Sequence, residues 1–154
     1  MLFIPASAAR GIRLAACMGL VVVMLGCAGG KVMPLENQQQ FDATIHQSNQ
    51  PVLVDFFKGG CPTCVALDGT MDKLADEYRG KAIIAKFMLM TPYFVVTSSE
   101  IKSRYDISFF PTAILFVNGQ PVNRWSLHYK IEDYRHALDA ALANPPRGGP
   151  SARP

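Results

Sequence analysis

Val52-Leu53-Val54-Asp55-Phe56-Phe57-Lys58-Gly59-Gly60-Cys61-Pro62-Thr63-Cys64 is an apolar run, a glycine turn and a pair of thiols, in that order. Val52 to Phe57 is too continuously apolar for an edge strand and reads as a central one. Lys58-Gly59-Gly60 reads as a turn. Beyond the thiols, Leu67, Met71, Leu74, Ala75 and Tyr78 recur at three- and four-residue steps, so Val65 to Tyr78 is expected as a helix with one buried face. Gly80 stops it in the manner of a C′ glycine. The thiols therefore sit where a strand hands over to a helix N-terminus. Unpaired backbone N–H groups and the positive end of the helix dipole stabilise a thiolate there. A thiolate is the species that attacks disulfides, and a dithiol redox centre is the leading reading.

Two thiols at this spacing can also form a structural disulfide or half of a zinc site. Zinc takes four ligands, and the sequence has neither a second CxxC nor a paired His. A bridge closing so short a loop adds little stability. Within the redox reading, Cys61 is the candidate nucleophile, at the N-cap with Pro62 at N1, where a missing N–H costs nothing. Thr63 and Cys64 keep N–H groups that can donate to its sulfur and lower its pKa. Cys64, one turn in and more buried, is the candidate resolving thiol. Asp55 is the single charged residue between Val52 and Phe57. Desolvation should raise its pKa and fit it to relay the Cys64 proton, through water. A strand-end Asp facing solvent is the bland alternative. Lys86 is either its partner or a solvated lysine on a strand edge.

Outward from this stretch, Phe41 and Ile45 mark a short helix from Phe41 to Ser48, broken by Asn49-Gln50-Pro51. Ala82 to Leu89 is a second strand, Thr91 to Thr97 an apolar loop, and Ser98 or Ser99 caps a helix through Tyr105. Thr112 to Val117 and Val122 to Leu127 flank Asn118-Gly119-Gln120-Pro121, a strong hairpin signal. Ile131, Tyr134, Leu138, Ala141 and Leu142 mark a final amphipathic helix. The order α, β, α, β, α, β, β, α implies an α/β fold, a mixed central sheet with helices on both faces.

With these positions in register, the stretch from Phe41 to Ala143 resembles the thioredoxin fold family. "VLVDFF" resembles its central strand, with Asp55 at the family's buried acid and Lys86 at the lysine beside that acid. Phe110-Pro111-Thr112 resembles its cis-proline loop, and "ILFVNGQ" the hairpin strand that follows. The resemblance implies a cis peptide before Pro111. It also implies a substrate-facing surface made by Phe110, Pro111, Thr112, Pro62 and Thr63, with Phe110 offering its backbone to a substrate chain.

Several positions depart from the family pattern. Gly60 replaces the usual Trp before the first Cys, Gly69 a helix-kinking proline, and Leu127 a Gly near the active surface. About six extra residues precede the cis-proline loop. Cys-Pro-Thr-Cys resembles membrane-tethered thiol reductases of cytochrome c maturation.

The ends of the chain bear on location. Arg10 and Arg13 precede the apolar run Leu14 to Leu25, which is too short to span a bilayer and matches a secretory h-region. Met24-Leu25-Gly26-Cys27 resembles a bacterial lipobox, with Cys27 the lipidated residue. The expected division is a lipoprotein signal peptide over 1–26, a tether over 27–40, the domain over 41–143 and a disordered tail over 144–154. Cleavage after Ala28, giving a soluble secreted protein, and retention as a weak anchor are the alternatives. All three place the domain outside the cytoplasm, on the periplasmic face if lipid-anchored. Without the four arginines of leader and tail, eleven basic residues face twelve acidic ones, so no basic stripe suggests nucleic acid.

The remaining residues read blandly. His46, His128 and His136 show no ligand spacing; only His128 can come near the active face. Met88 and Met90 read as core, and Tyr93 to Val96 as an apolar loop packed under the inserted segment or, less simply, a partner surface. The expected activity is extracytoplasmic thiol:disulfide exchange, reducing protein or peptide disulfides, with no cofactor or metal and a membrane redox partner. Net dithiol oxidation and a redox-inert module binding a peptide or copper are the alternatives.

Overall fold

The structure, a computed structural model, describes residues 30–143. The expected leader, Cys27 and the expected tail over 144–154 lie outside the described residues. The elements run β1 (Met33–Leu35), α1 (Gln38–Gln47), β2 (Val52–Lys58), α2 (Pro62–Glu77), β3 (Ile83–Met90), α3 (Ser99–Arg104), β4 (Thr112–Val117), β5 (Gln120–Ser126) and α4 (Ile131–Ala143).

The five strands form one mixed sheet in the order β1-β3-β2-β4-β5. β3 runs parallel to both β1 and β2, while β4 is antiparallel to β2 and β5. β2 is thus central, which its apolar run demands: residues 52–56 are all buried. Alternate side chains feed two cores. Val52, Val54 and Phe56 pack with Phe41, Ile45, Ile101 and Ile107 beneath α1 and α3. Leu53 packs with Leu67, Met71, Leu74, Tyr134 and Leu138 beneath α2 and α4. Asp55 shares the parity of Leu53 and so faces the α2/α4 layer. Phe41 anchors the other layer, its ring edge-on to Phe56, Phe87, Tyr105 and Phe116 at 5.6–5.9 Å.

The expected tether is shorter than read. Met33-Pro34-Leu35 is an edge strand beside Ala85–Phe87, and α1 starts at Gln38, with the Asn37 side chain accepting from the Gln40 N–H. Proline is tolerated in β1 because that strand is an edge. Ahead of it, Gly30 sits so close to the Ala75 carbonyl that a Cβ would not fit. The described chain therefore begins beside the C-terminal end of α2. Asn118 and Gly119 turn the hairpin with φ of +51° and +75°, the left-handed pair of a type I′ turn. β5 starts at Gln120, two residues before the position read for it. Gly80 takes φ +73°, but two residues past the α2 C-cap at Tyr78.

Candidate dithiol active site

Four chain segments meet at one end of the sheet: the ends of β2, β3 and β5 and the start of β4. Thr112 opens β4 opposite Phe56 and Ser126, and Gly59 donates its N–H to the Met90 carbonyl at 2.8 Å. Gly60 takes φ +71°, open to glycine without a steric penalty. Gly59 is required by contact, since a Cβ there would lie 2.6 Å from Pro92 Cδ.

Cys61 caps α2 through its sulfur, which accepts the Cys64 N–H at 3.3 Å; Pro62 follows at N1. The Thr63 hydroxyl lies 3.0 Å from the same sulfur, and the Thr63 N–H also contributes. Burial pushes the Cys61 thiol up, but the hydrogen bonds from Cys64 and Thr63 together outweigh it and hold the group below the ordinary thiol value. Cys64 is buried. Its burial, with the hydrogen bond to Cys61 and the charge of Asp55, pushes it up to about 12, against a backbone hydrogen bond from Lys58. Both thiols are free. The two sulfurs are thus made unequal by position alone.

Asp55 is 1 % exposed, and its Oδ1 has no protein hydrogen-bond partner. Burial raises its carboxyl to about 7, with Asp68 adding to the rise and Lys86 opposing it. Lys86 is the register partner of Asp55 across β2 and β3. Its ion pair, however, is with Asp68 on α2, at 3.9 Å, which corrects the simple Lys86–Asp55 pairing. Asp68 was missed in the sequence, although it stands four residues after Cys64 and so shares its helix face. The Thr63 hydroxyl at the Cys61 sulfur likewise goes beyond the sequence expectation, which rests on that residue's N–H.

The Phe110–Pro111 peptide is cis, as the resemblance implied. The Pro111 carbonyl accepts the Leu127 N–H at 3.0 Å, and Leu127 holds φ +54°. This left-handed conformation is one that glycine adopts more freely. Phe110 is half-buried against the α1/α3 core. Thr112 does not face a substrate: it is fully buried, and its hydroxyl donates to the Phe109 carbonyl at 2.8 Å, bracing the loop from within. Pro62 and Thr63 are exposed beside Cys61.

Residues expected to be bland divide. His46 and His136 are on the surface, and His128 contacts Asp133 at 2.7 Å and the Tyr134 ring. Met88 is exposed at the β3 end rather than in the core, and the 93–95 loop is exposed rather than packed under its own segment. Among the described residues, no three His, Cys, Asp or Glu side chains are placed to hold a metal ion.

A thiol-capped helix after a central strand, a buried carboxyl behind it and a cis-proline loop beside it define a thiol–disulfide exchange protein. The family model described as thioredoxin matches residues 32–140, and the chain belongs to the thioredoxin family. It is 35% identical over 86 residues to a thioredoxin of Chlorobaculum thiosulfatiphilum, covering 56% of this chain and 74% of that protein. A thioredoxin of Peptoclostridium acidaminophilum is 31% identical over 107 residues, covering 70% of this chain and 89% of its own length. A bifunctional thioredoxin reductase/thioredoxin of Mycobacterium leprae is 36% identical over 84 residues, but the match spans only 17% of that protein. The solved structure of a thioredoxin from Malassezia sympodialis superposes with a TM-score of 0.60 at 20% identity, over 73% of this chain and 92% of that one. The chain is a protein-disulfide oxidoreductase.

Proposed function

We propose that this protein is an extracytoplasmic, lipid-anchored reductase of protein disulfides. The observation that carries the exchange reading is the unequal pair: an exposed-side thiol held below its ordinary pKa against a buried one at about 12. In this reading the Cys61 thiolate attacks one sulfur of a substrate disulfide. That S–S bond breaks, the first substrate thiolate leaves and takes up a proton, and a Cys61–substrate disulfide forms. Cys64 then gives its proton to the Asp55 carboxylate, through water, and its thiolate attacks Cys61 Sγ. The second substrate thiol leaves, two electrons have passed to the substrate, and the enzyme holds a Cys61–Cys64 disulfide. A dithiol donor on the same side of the membrane restores it. Near neutral pH a carboxyl at about 7 both accepts and returns a proton. Lys86 and Asp68 set its charge surroundings, and the Phe110-Pro111 loop lines up the substrate chain.

The location is supported by the sequence of the leader, Arg10, Arg13 and the apolar run ending in Met24-Leu25-Gly26-Cys27. The direction of exchange is supported by the likeness to thioredoxins. Alkylation of the reduced protein at neutral pH should modify Cys61 far faster than Cys64, and comparable rates would reverse the assignment. The reduction potential should lie near the thioredoxin value of about −270 mV; one near about −120 mV would make the enzyme a net oxidant.

A further inference from the structure

The connection from β3 to α3 is built rather than loose. Met90 and Val96 pair antiparallel. Thr91 closes the turn, its N–H donating to the Val95 carbonyl at 2.9 Å, its carbonyl accepting the Phe94 N–H at 3.0 Å and its hydroxyl accepting the Val95 N–H at 3.1 Å. Phe94 is held at φ +63°, with the Lys58 ammonium 3.4 Å above its ring. Despite this order, Tyr93, Phe94 and Val95 are 88%, 71% and 60% exposed. Three adjacent large apolar side chains fixed in water are a cost that a soluble surface normally avoids.

Their place in the fold gives them a use. Pro92 rests on Gly59 and Gly60, immediately before Cys61. On the other side of β2, Phe109 and Leu127 are 60% and 51% exposed beside Pro111. Because β2 lies between β3 and β4, Cys61 emerges between two apolar flanks. With no side chain at Gly59 or Gly60, Pro92 brings the loop against the turn before Cys61, and the loop is the apolar wall on the β3 side.

We propose that Tyr93, Phe94 and Val95 form a specificity surface for substrate polypeptide. It receives aromatic or branched aliphatic side chains that flank the disulfide attacked by Cys61. The proposal rests on the exchange reading above and names its substrate class. Polypeptide is favoured over a bilayer because the surface is continuous with the thiol. A membrane seated on the loop would cover Cys61, and the described chain enters at Gly30, beside the opposite end of α2.

The test compares two disulfide-bridged peptides that differ only in the flanking residues, Phe and Val in one and Ser and Asp in the other. The mature wild type should show a kcat/KM ratio of about ten in favour of the apolar peptide, equivalent to about 1.4 kcal/mol. In Tyr93→Ser/Phe94→Ser the ratio should fall close to one, and a general loss of activity cancels from it. A wild type that reduces both peptides equally overturns the surface while leaving exchange intact. One that reduces neither overturns the exchange reading and the surface with it. Vesicles of phosphatidylethanolamine and phosphatidylglycerol supply the remaining arm. If they shield Cys61 from alkylation in the wild type but not in the double variant, with the peptide ratio unmoved, the loop is a membrane element and the proposal fails.

Discussion

At the residue scale, the site works by making like groups unlike. Cys61 and Cys64 are three positions apart, yet one meets helix N–H groups and a hydroxyl while the other is buried near the Asp55 carboxyl. Asp55 carries the largest consequence for stability. Its folded pKa of about 7 lies above the unfolded value, so the folded state holds the proton more tightly. The contribution is favourable below about pH 4 and is lost as pH rises through 7. Three pKa units correspond to about 4 kcal/mol, an upper figure for the cost of the buried charge in alkali. Asp55→Asn should therefore be more stable than the parent by a few kcal/mol at about pH 8 in urea unfolding. The gap should close at about pH 4. A gap independent of pH would mean that Asp55 titrates as a solvated carboxyl. Asp55 was legible because a lone charge in an apolar strand is conspicuous. Asp68 was not, because nothing in a helix sequence marks a surface acid as lying over a buried one.

The elements that could be read were those with a face to bury. β2 and β4 are continuous apolar runs and lie side by side in the interior of the sheet. α2 announced itself by its three- and four-residue repeat. β1 has three residues, one a proline, and no periodicity, so its pairing is decided by the exposed edge of β3 rather than by its own sequence. β5 is almost wholly exposed, which hides any alternation. The 93–95 loop misled for the opposite reason: apolar residues suggest burial, and here they are held out in water. Within α2, Gly69 leaves the helix continuous from Pro62 to Glu77 and is exposed, and a Cβ added there would meet nothing within 4 Å. Gly69→Ala should add about 1 kcal/mol through helix propensity. That corresponds to a rise of roughly 4 °C or more in Tm, with exchange rates unchanged. A fall in Tm would show that the helix needs flexibility at this point.

For the whole molecule, the proposed anchor makes a direct prediction: protein from its native host should have a mature N-terminus at Cys27 that carries lipid, by mass spectrometry. An unmodified N-terminus at Gly29 would leave a secreted enzyme without an anchor. If Cys27 is the anchor, the fixed seat of Gly30 against Ala75 sets the geometry of encounter. Only Ala28 and Gly29 separate anchor from seat, so three chain steps give a leash of about 11 Å at full extension. From Ala75 back to Cys61, α2 spans about 21 Å. A fourteen-residue tether would let the thiol sweep a wide hemisphere. With lipid on Cys27, so short a leash would instead hold it within a shell roughly 30 Å deep. Substrates are then sorted by altitude as well as by sequence, those whose disulfides stand within that shell being reached and those farther out passing untouched.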